Sequence, residues 1–447
     1  MPQPISRRHL LTSSAAAAGL AAAGALPTLA VAQDAAPATT PPPAAEQKLK
    51  IGIVGIGGQG HWHVTQVLPI KNAEIVALCD VDANMLVRAA RMVPKAATFT
   101  DFRDMLKDVK ELDAVLIATP DHTHAPIAAA CLRGGKHVYC EKPLTHSVRE
   151  ARAISDLAKQ SGLCTQMGIQ IHAMDNYKRV VELVKAGAVG KIAEVHIWNN
   201  RSNRPASTAP VPVPARLNYD LWLGPVAPRP FVADYHPYNW RRHWAFGEGM
   251  LGDIGCHLMD VAFWALDLQH PTRVEALGGA PLDEQITSEW IIAQYDFPAR
   301  GDMPSVKLTW YDPPKQPPML ASWNLPEKFR GEGVVFVGEG GKLLYTNYGE
   351  HMLLPEAQFK DYERPPKSIP SSPGHQQEWV NACLKKDPKA TATPFEYGAL
   401  LTESALLGTV AFRAQKPLKW DAASMKITNA PDAEKLLDYD HRDGWRV

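Results

Sequence analysis

Apolar positions along the chain change period several times, and those changes divide it. A short β-branched run, "LKIGIV", and an apolar run, "AEIVALC", flank the helix-compatible stretch "GQGHWHVTQVL". Helical spacing recurs around residues 83–92 and 101–108, followed by the apolar strand "LDAVLIATP", the helical run "HAPIAAACLRGG" and the strand "KHVYCEKPLT". Such alternation of strand and helix predicts an α/β domain on a doubly wound parallel sheet. After Glu150 the pattern shifts. A helix at "EARAISDLAKQSG" leads to a strand, an amphipathic helix with a glycine stop and another strand, and later to strand-like "SEWIIAQYDF" and "SVKLTWYD". These predict an α+β domain on an open, mostly antiparallel sheet, with one face packed and the other free for association. Residues 201–245, rich in Pro, Trp and Tyr, are too long for a plain connection and read as a structured substrate-side loop.

The amino-terminal stretch does not belong to either pattern. It begins on Arg7 and Arg8, continues in Ala, Leu and Gly, and closes on small residues at Ala32. That order is an export signal over residues 1–32. Ser6 before the paired arginines and Leu10 and Leu11 after them fit the twin-arginine address, which serves proteins that cross a membrane already folded. A membrane anchor is the rival reading, but Thr12, Ser13, Ser14 and Pro27 interrupt a weakly hydrophobic run where a span needs about 20 apolar residues. Residues 33–48, rich in Pro, Ala and Thr, form no core and read as a tethering arm. The expected location is therefore periplasmic or beyond, without stable membrane insertion.

Roughly 400 residues remain, enough for two domains: a dinucleotide-binding domain over 49–170 and a substrate-binding domain over 171–447. Charge adds little. With 47 basic and 47 acidic residues there is no basic stripe, so nucleic acid is not an expected partner. Six cysteines stand at 79, 131, 140, 164, 256 and 383, none in a zinc or redox spacing, and are expected as free thiols.

The chemistry begins at "GIGGQG". Gly55, Gly57 and Gly60 follow a strand and open a helix, the context in which this spacing marks a Rossmann fold. The turn, the close approach of backbone to pyrophosphate, and the packing of helix on strand each need a glycine, and Gly58 and Gln59 share the loop. Asp80 ends the second strand twenty residues after Gly60, where a carboxylate accepts ribose hydroxyls and repels a 2′-phosphate. NAD is the expected cofactor, with NADP left open by basic neighbours such as Arg88. Ligands in such sheets sit beyond the carboxyl ends of strands, which brings Thr119, Pro120, His124, Glu141 and Lys142 to the cofactor.

"GIGGQG", "TPDHTH" and "CEKPLT", in this order, with "DIGCH" further on, resemble the Gfo/Idh/MocA oxidoreductases, and the likeness extends over most of residues 49–447. The resemblance implies that Lys142 contacts a substrate hydroxyl. It also implies that Asp253 and His257, four apart and so on one helix face, stand beside the nicotinamide with His257 as proton acceptor. His172, Trp240 and Trp244 are expected to join Lys142, Asp253 and His257 on the substrate wall. The pairs His61/His63 and His122/His124 lack a completing carboxylate or cysteine, and no metal is expected.

The implied reaction is hydride transfer between a tightly held NAD and a sugar or cyclitol-like polyol, in a dimer or tetramer joined through the carboxyl-terminal sheet. Two rivals stand beside it. One is glycoside cleavage by transient oxidation and elimination with no net redox change; the other is a non-catalytic sensor on the same fold.

Overall fold

The alternating stretch folds as the pattern dictates, in a computed structural model that describes residues 47–201 and 206–447. The export signal expected over 1–32 and residues 33–46 of the arm lie outside the described residues. β1 (Leu49–Val54), α1 (Gly58–Val67), β2 (Ala73–Cys79), α2 (Ala83–Ala90), β3 (Ala97–Phe99), α3 (Phe102–Asp108), β4 (Ala114–Ile117), α4 (Asp121–Arg133), β5 (His137–Glu141), α5 (Val148–Ser161) and β6 (Thr165–Gly168) follow in order. The six strands pair in parallel as β3-β2-β1-β4-β5-β6. Alternate residues of the central strands enter two separate cores: Val54, Val115 and Ile117 on one face, Ile51, Ile53 and Leu116 on the other. A sheet covered on both faces needs apolar residues at consecutive positions, which is why these strands read as continuous runs.

The remaining elements are α6 (Asp175–Lys185), β7 (Glu194–Trp198), α7 (Tyr219–Leu223), α8 (Gly249–Leu266), β8 (Arg273–Gly279), β9 (Ile291–Phe297), β10 (Val306–Tyr311), β11 (Gly333–Val337), β12 (Leu343–Thr346), β13 (His351–Leu354), α9 (His375–Lys385), α10 (Phe395–Ala414), β14 (Leu418–Asp421) and β15 (Lys426–Ile427). They build a nine-stranded sheet in the order β13-β12-β11-β7-β10-β9-β8-β14-β15, antiparallel except where β7 meets β10. The mostly antiparallel expectation is met. One face carries Val195, Ile197, Leu308 and Trp310 against α6, α8 and α10.

The opposite face is less open than the pattern suggests. Trp198, Tyr311, Val335 and Tyr345 are covered there by Leu320, Trp323, Leu325 and Phe329 of the chain's own 316–330 segment. Alternation marks a second apolar face but does not tell whether the chain itself fills it. A further departure concerns α9. It lies in the part of the chain read as the second domain, yet its Trp379, Val380, Ala382 and Cys383 pack into a core of the first sheet.

Candidate active site

A cleft of about 430 Å³ opens at the carboxyl edge of the six-stranded sheet. It falls within the size range of small-molecule sites. Its floor is the turn after β1. Gly55 has φ +79°, and a Cβ there would lie 2.7 Å from Thr119 N, while one on Gly60 would lie 1.8 Å from Gly55 O. Only glycine permits this turn and this strand–helix contact. α1 then starts at Gly58 after an N-cap at Gly57, with no side-chain cap and no acidic residue in its first turn, so its free N–H groups and positive dipole end face the cleft that Gly57, Gly58 and Gln59 line. That is an anion cradle.

Asp80 sits at the end of β2, its Oδ2 accepting from Ile56 N at 2.8 Å and its Oδ1 from Asp82 N at 2.9 Å. Both oxygens keep a lone pair for a further donor, and the carboxylate is fixed in place. Burial raises its pKa against these bonds. The residues present fit a dinucleotide: an uncapped glycine turn for its pyrophosphate and an anchored carboxylate for a ribose.

Thr119, Pro120 and His124 line the cleft from the β4–α4 junction. The two ring nitrogens of His124 lie 2.8 Å from Thr119 O and Pro143 O, tying together the ends of neighbouring strands. Glu141, at the end of β5, is buried and bound by His63 at 2.7 Å, Gln170 at 2.6 Å and Gln59 at 3.3 Å. Burial alone would raise its pKa; the His63 bond, with His63 and Lys142 charge, holds it down at about 2.

Lys142 reaches across to α8. Its Nζ donates to Asp253 Oδ1 at 2.5 Å and to Asp253 O at 2.8 Å. Arg241 Nε lies 3.0 Å from the same carboxylate oxygen. Against the cost of burial, Arg241 and Lys142 hold the Asp253 carboxyl far below its ordinary range. One turn along α8, His257 lines the cleft, its Nδ1 buried without a hydrogen-bond partner. Burial, and then the charge of Lys142, push its pKa down to about 3, so the imidazole is neutral at pH 7 and can accept a proton.

Two expected residues stand elsewhere. His172 turns its Nδ1 to the Asp260 carboxylate at 2.9 and 3.0 Å and stacks on Trp264 with ring centroids 3.9 Å apart. Tyr397 donates to the same Asp260 at 2.6 Å, so His172 belongs to a buried brace behind α8 rather than to the cleft wall. Trp244 donates its indole N–H to Asp283 O and packs near Phe412, also outside the cleft. Trp240 does line the cleft, but its face is taken by the Arg241 guanidinium, 4.0 Å from the ring.

One further lining residue lies inside "TPDHTH" itself. Asp121, at the first turn of α4, is fully buried, with Oδ1 unpartnered and its pKa raised well above the ordinary value by burial. His236, Tyr238 and Trp222 come from the 206–246 segment, and Trp445 from the chain's end. That segment is clamped to the β2–α2 turn. Asp82 Oδ2 accepts from Arg216 Nε and meets His236 Nε2, each at 2.9 Å, and Asn218 N donates to Val81 O. Arg442 in turn bonds Gly224 O and Asp220, and Trp445 packs on Phe102. Together they roof the Asp80 end of the cleft.

The histidine pairs 61/63 and 122/124 go to such internal bonds: His63 to Glu141, His122 to Trp222 O at 2.9 Å, and His61 to Arg88. Among the described residues the one group spaced to hold a metal ion is His137, Cys164 and Cys383, at the opposite edge of the sheet.

A Rossmann sheet with a glycine turn and an anchored acid, joined to a second sheet on which α8 packs and presents Asp253 and His257, defines a two-part dinucleotide-binding fold. Residues 49–169 match the family described as "Oxidoreductase family, NAD-binding Rossmann fold", and residues 183–298 match its "C-terminal alpha/beta domain". The chain belongs to the Gfo/Idh/MocA family. It is 32% identical over 161 residues to an inositol 2-dehydrogenase of Rubrobacter xylanophilus, a match covering 35% of this chain and 45% of that protein. It is 31% identical over 156 residues to a "Glycosyl hydrolase family 109 protein" of Shewanella pealeana, covering 32% and 33%. The chain thus spans less than half the length of the curated relatives it matches. The WlbA dehydrogenase of Bordetella pertussis, solved with NADH and UDP-GlcNAcA, is 18% identical with a TM-score of 0.59, covering 84% of this chain and 99% of that one, and shares the fold.

Proposed function

We propose that the protein oxidises a carbinol carbon of a sugar or cyclitol-like polyol with a tightly held NAD, and does so after export by the twin-arginine route. The observation that carries the chemistry is the Lys142–Asp253 bridge with neutral His257 one helical turn away in the same cleft. NAD bound over the glycine turn would supply the hydride acceptor. His257 takes the hydroxyl proton, and Lys142 donates to the same oxygen and stabilises the alkoxide as charge develops. Asp253, kept ionised by Lys142 and Arg241, holds Lys142 in place and leaves one carboxylate oxygen for a neighbouring hydroxyl.

Retention of the cofactor is supported by the roof from 206–246 and Trp445 over the Asp80 end. A chain that carries its dinucleotide across a membrane needs such enclosure, and Arg7 and Arg8 supply the address. Association through the nine-stranded sheet belongs to the same reading, restricted to the part that 316–330 leaves uncovered, where Leu277 is 52% exposed.

A second reading is favoured by Asp121. A buried carboxyl whose pKa burial raises well above the ordinary carboxylate value, in the same cleft, is the group that would protonate a departing glycosidic oxygen after transient oxidation. The experiment is to purify the mature protein without added cofactor, identify the dinucleotide released on denaturation, and incubate the intact protein with polyol and aryl-glycoside pools. Released NAD and polyol-dependent nicotinamide reduction support net oxidation. Aglycone release without reduction moves the assignment to cleavage, and absence of any dinucleotide defeats both.

A further inference from the structure

Away from the cleft, at the amino edge of the six-stranded sheet, three side chains from distant parts of the chain converge. His137 begins β5, Cys164 immediately precedes β6, and Cys383 sits near the end of α9. Their sulfurs and a ring nitrogen of His137 all lie within 4.8 Å of one another. Both cysteines are buried, at 0% and 2% exposure, while His137 is half-buried and borders the surface. Cleft chemistry does not use any of the three.

Such a group suits either a soft cation or a bond between the two sulfurs, and His137 decides between them. Its Nδ1 accepts the backbone N–H of Cys164 at 2.9 Å. That spends the ring's available lone pair, because a neutral imidazole accepting at Nδ1 carries its hydrogen on Nε2. A cation taking Nδ1 would strand the Cys164 N–H, and a buried N–H without an acceptor is costly. The Cys164 thiol donates to Ala382 O at 3.3 Å, and giving up that weak S–H bond strands no N–H.

The two sulfurs also differ in character. Hydrogen bonding from Cys383 lowers the Cys164 pKa against the effect of burial, and His137 lowers it further. Burial raises Cys383. Burial likewise raises Cys79, Cys131, Cys140 and Cys256, which stay protonated. One ready nucleophile with a resolving thiol beside it is the arrangement found at redox-responsive sites.

We propose that Cys164 and Cys383 form a reversible disulfide that staples α9 to the first sheet, with hydrogen peroxide as the small oxidant able to reach them past His137. The Cys164 sulfur attacks one peroxide oxygen; the O–O bond breaks, and the departing hydroxide takes up the proton shed by Cys164, leaving water and a sulfenic acid. The Cys383 sulfur then attacks the Cys164 sulfur. The S–S bond forms, the S–O bond breaks, and the hydroxyl leaves with the Cys383 proton as a second water. Two thiols lose two electrons and one peroxide gains them.

The staple would close a loop of more than two hundred residues between positions 164 and 383. Cross-links over long loops restrict the unfolded chain most. The test is to titrate the reduced full-length chain with peroxide, count thiols after denaturation, and map peptides by mass spectrometry. All six cysteines are free at the outset. The expected result is loss of two thiols and two hydrogens of mass, a Cys164–Cys383 cross-linked peptide, an upward shift in Tm of several degrees, and full reversal by dithiothreitol. Cys164→Ala and Cys383→Ala should each abolish the cross-link and the shift. Six persistent thiols, a cross-link between other cysteines, stable over-oxidation of Cys164 without a cross-link, or stoichiometric zinc protecting this pair would each overturn the proposal.

Discussion

The floor and the roof of the cleft enclose the same space but are specified in different ways. The floor is backbone: three glycines and the ends of parallel strands, set by conformations that only particular residues tolerate. The roof is side chain: Asp82 gripped by Arg216 and His236, Arg442 on Asp220, and aromatic faces from Trp222 and Trp445. A backbone constraint fails all at once, because the strain has nowhere to go. A side-chain clasp fails by degrees, since each bond carries a separable share. On the proposed reading, cofactor binding falls to the floor and retention to the roof, so mutation should part the two.

The largest effect is expected on the floor. In Gly60→Ala the new methyl would lie 1.8 Å from Gly55 O and 2.7 Å from Gly55 C, backbone atoms far inside contact distance. The purified variant should contain no dinucleotide on denaturing extraction and should melt well below the parent, by several kcal/mol in stability. Retained cofactor at normal occupancy would show that the turn has slack. Next in size are Lys142→Ala and His257→Ala, which should each lower turnover by about 10²–10⁴-fold while leaving the dinucleotide bound. Unchanged turnover in either would remove that residue from the reacting centre.

The roof should respond more mildly. Arg216→Ala combined with His236→Ala strips both side-chain partners from the Asp82 carboxylate and leaves the Asn84 N–H on its other oxygen. Arg216 is 42% exposed, so solvent screens part of its contribution. A rise of roughly tenfold in the rate of dinucleotide release is expected, about 1.4 kcal/mol, with the equilibrium fold and the turnover of loaded enzyme little changed. Stopped-flow displacement of the bound cofactor measures it. A release rate equal to the parent's would mean that the clasp does not hold the cofactor in.

This contrast also explains what the sequence made legible. The floor could be read because each of its parts is a contiguous motif whose residue types follow from local geometry, as with Gly55, Gly57, Gly60 and Asp80. Asp253 and His257 were readable for the same reason, as one face of one helix. Asp121 sat inside "TPDHTH" and Arg241 beside Trp240, yet nothing local announces that an arginine will meet Asp253 or that a first-turn aspartate will be sealed from water. His172 and Trp244 show the converse. Both are residue types that suit a polyol site, but tertiary packing spent one on Asp260 and Trp264 and the other on Asp283. Trp445 and the return of α9 to the first sheet depend on where distant segments end up, which periodicity does not encode.

The smallest effect concerns the pH response of the roof. His122 is fully buried between Trp222 and Phe246, with Nε2 on Trp222 O; burial, and less strongly the charges of His124 and Arg229, hold its pKa down at about 4. In an opened or unfolded chain the same ring would titrate near 6.5. Between these values the open form binds more protons than the closed one, so the closed roof loses stability as pH falls through that window and regains it as pH rises. At pH 5 the loss is on the order of 1–2 kcal/mol. Dinucleotide release should therefore quicken about tenfold from pH 7.5 to pH 5. In His122→Gln, which keeps a donor for Trp222 O without a titrating ring, the rate should be nearly flat over the same range. Equal pH dependence in the two proteins would mean that the acid-sensitive contact lies elsewhere, with the floor and its Glu141–His63 pair the first place to look.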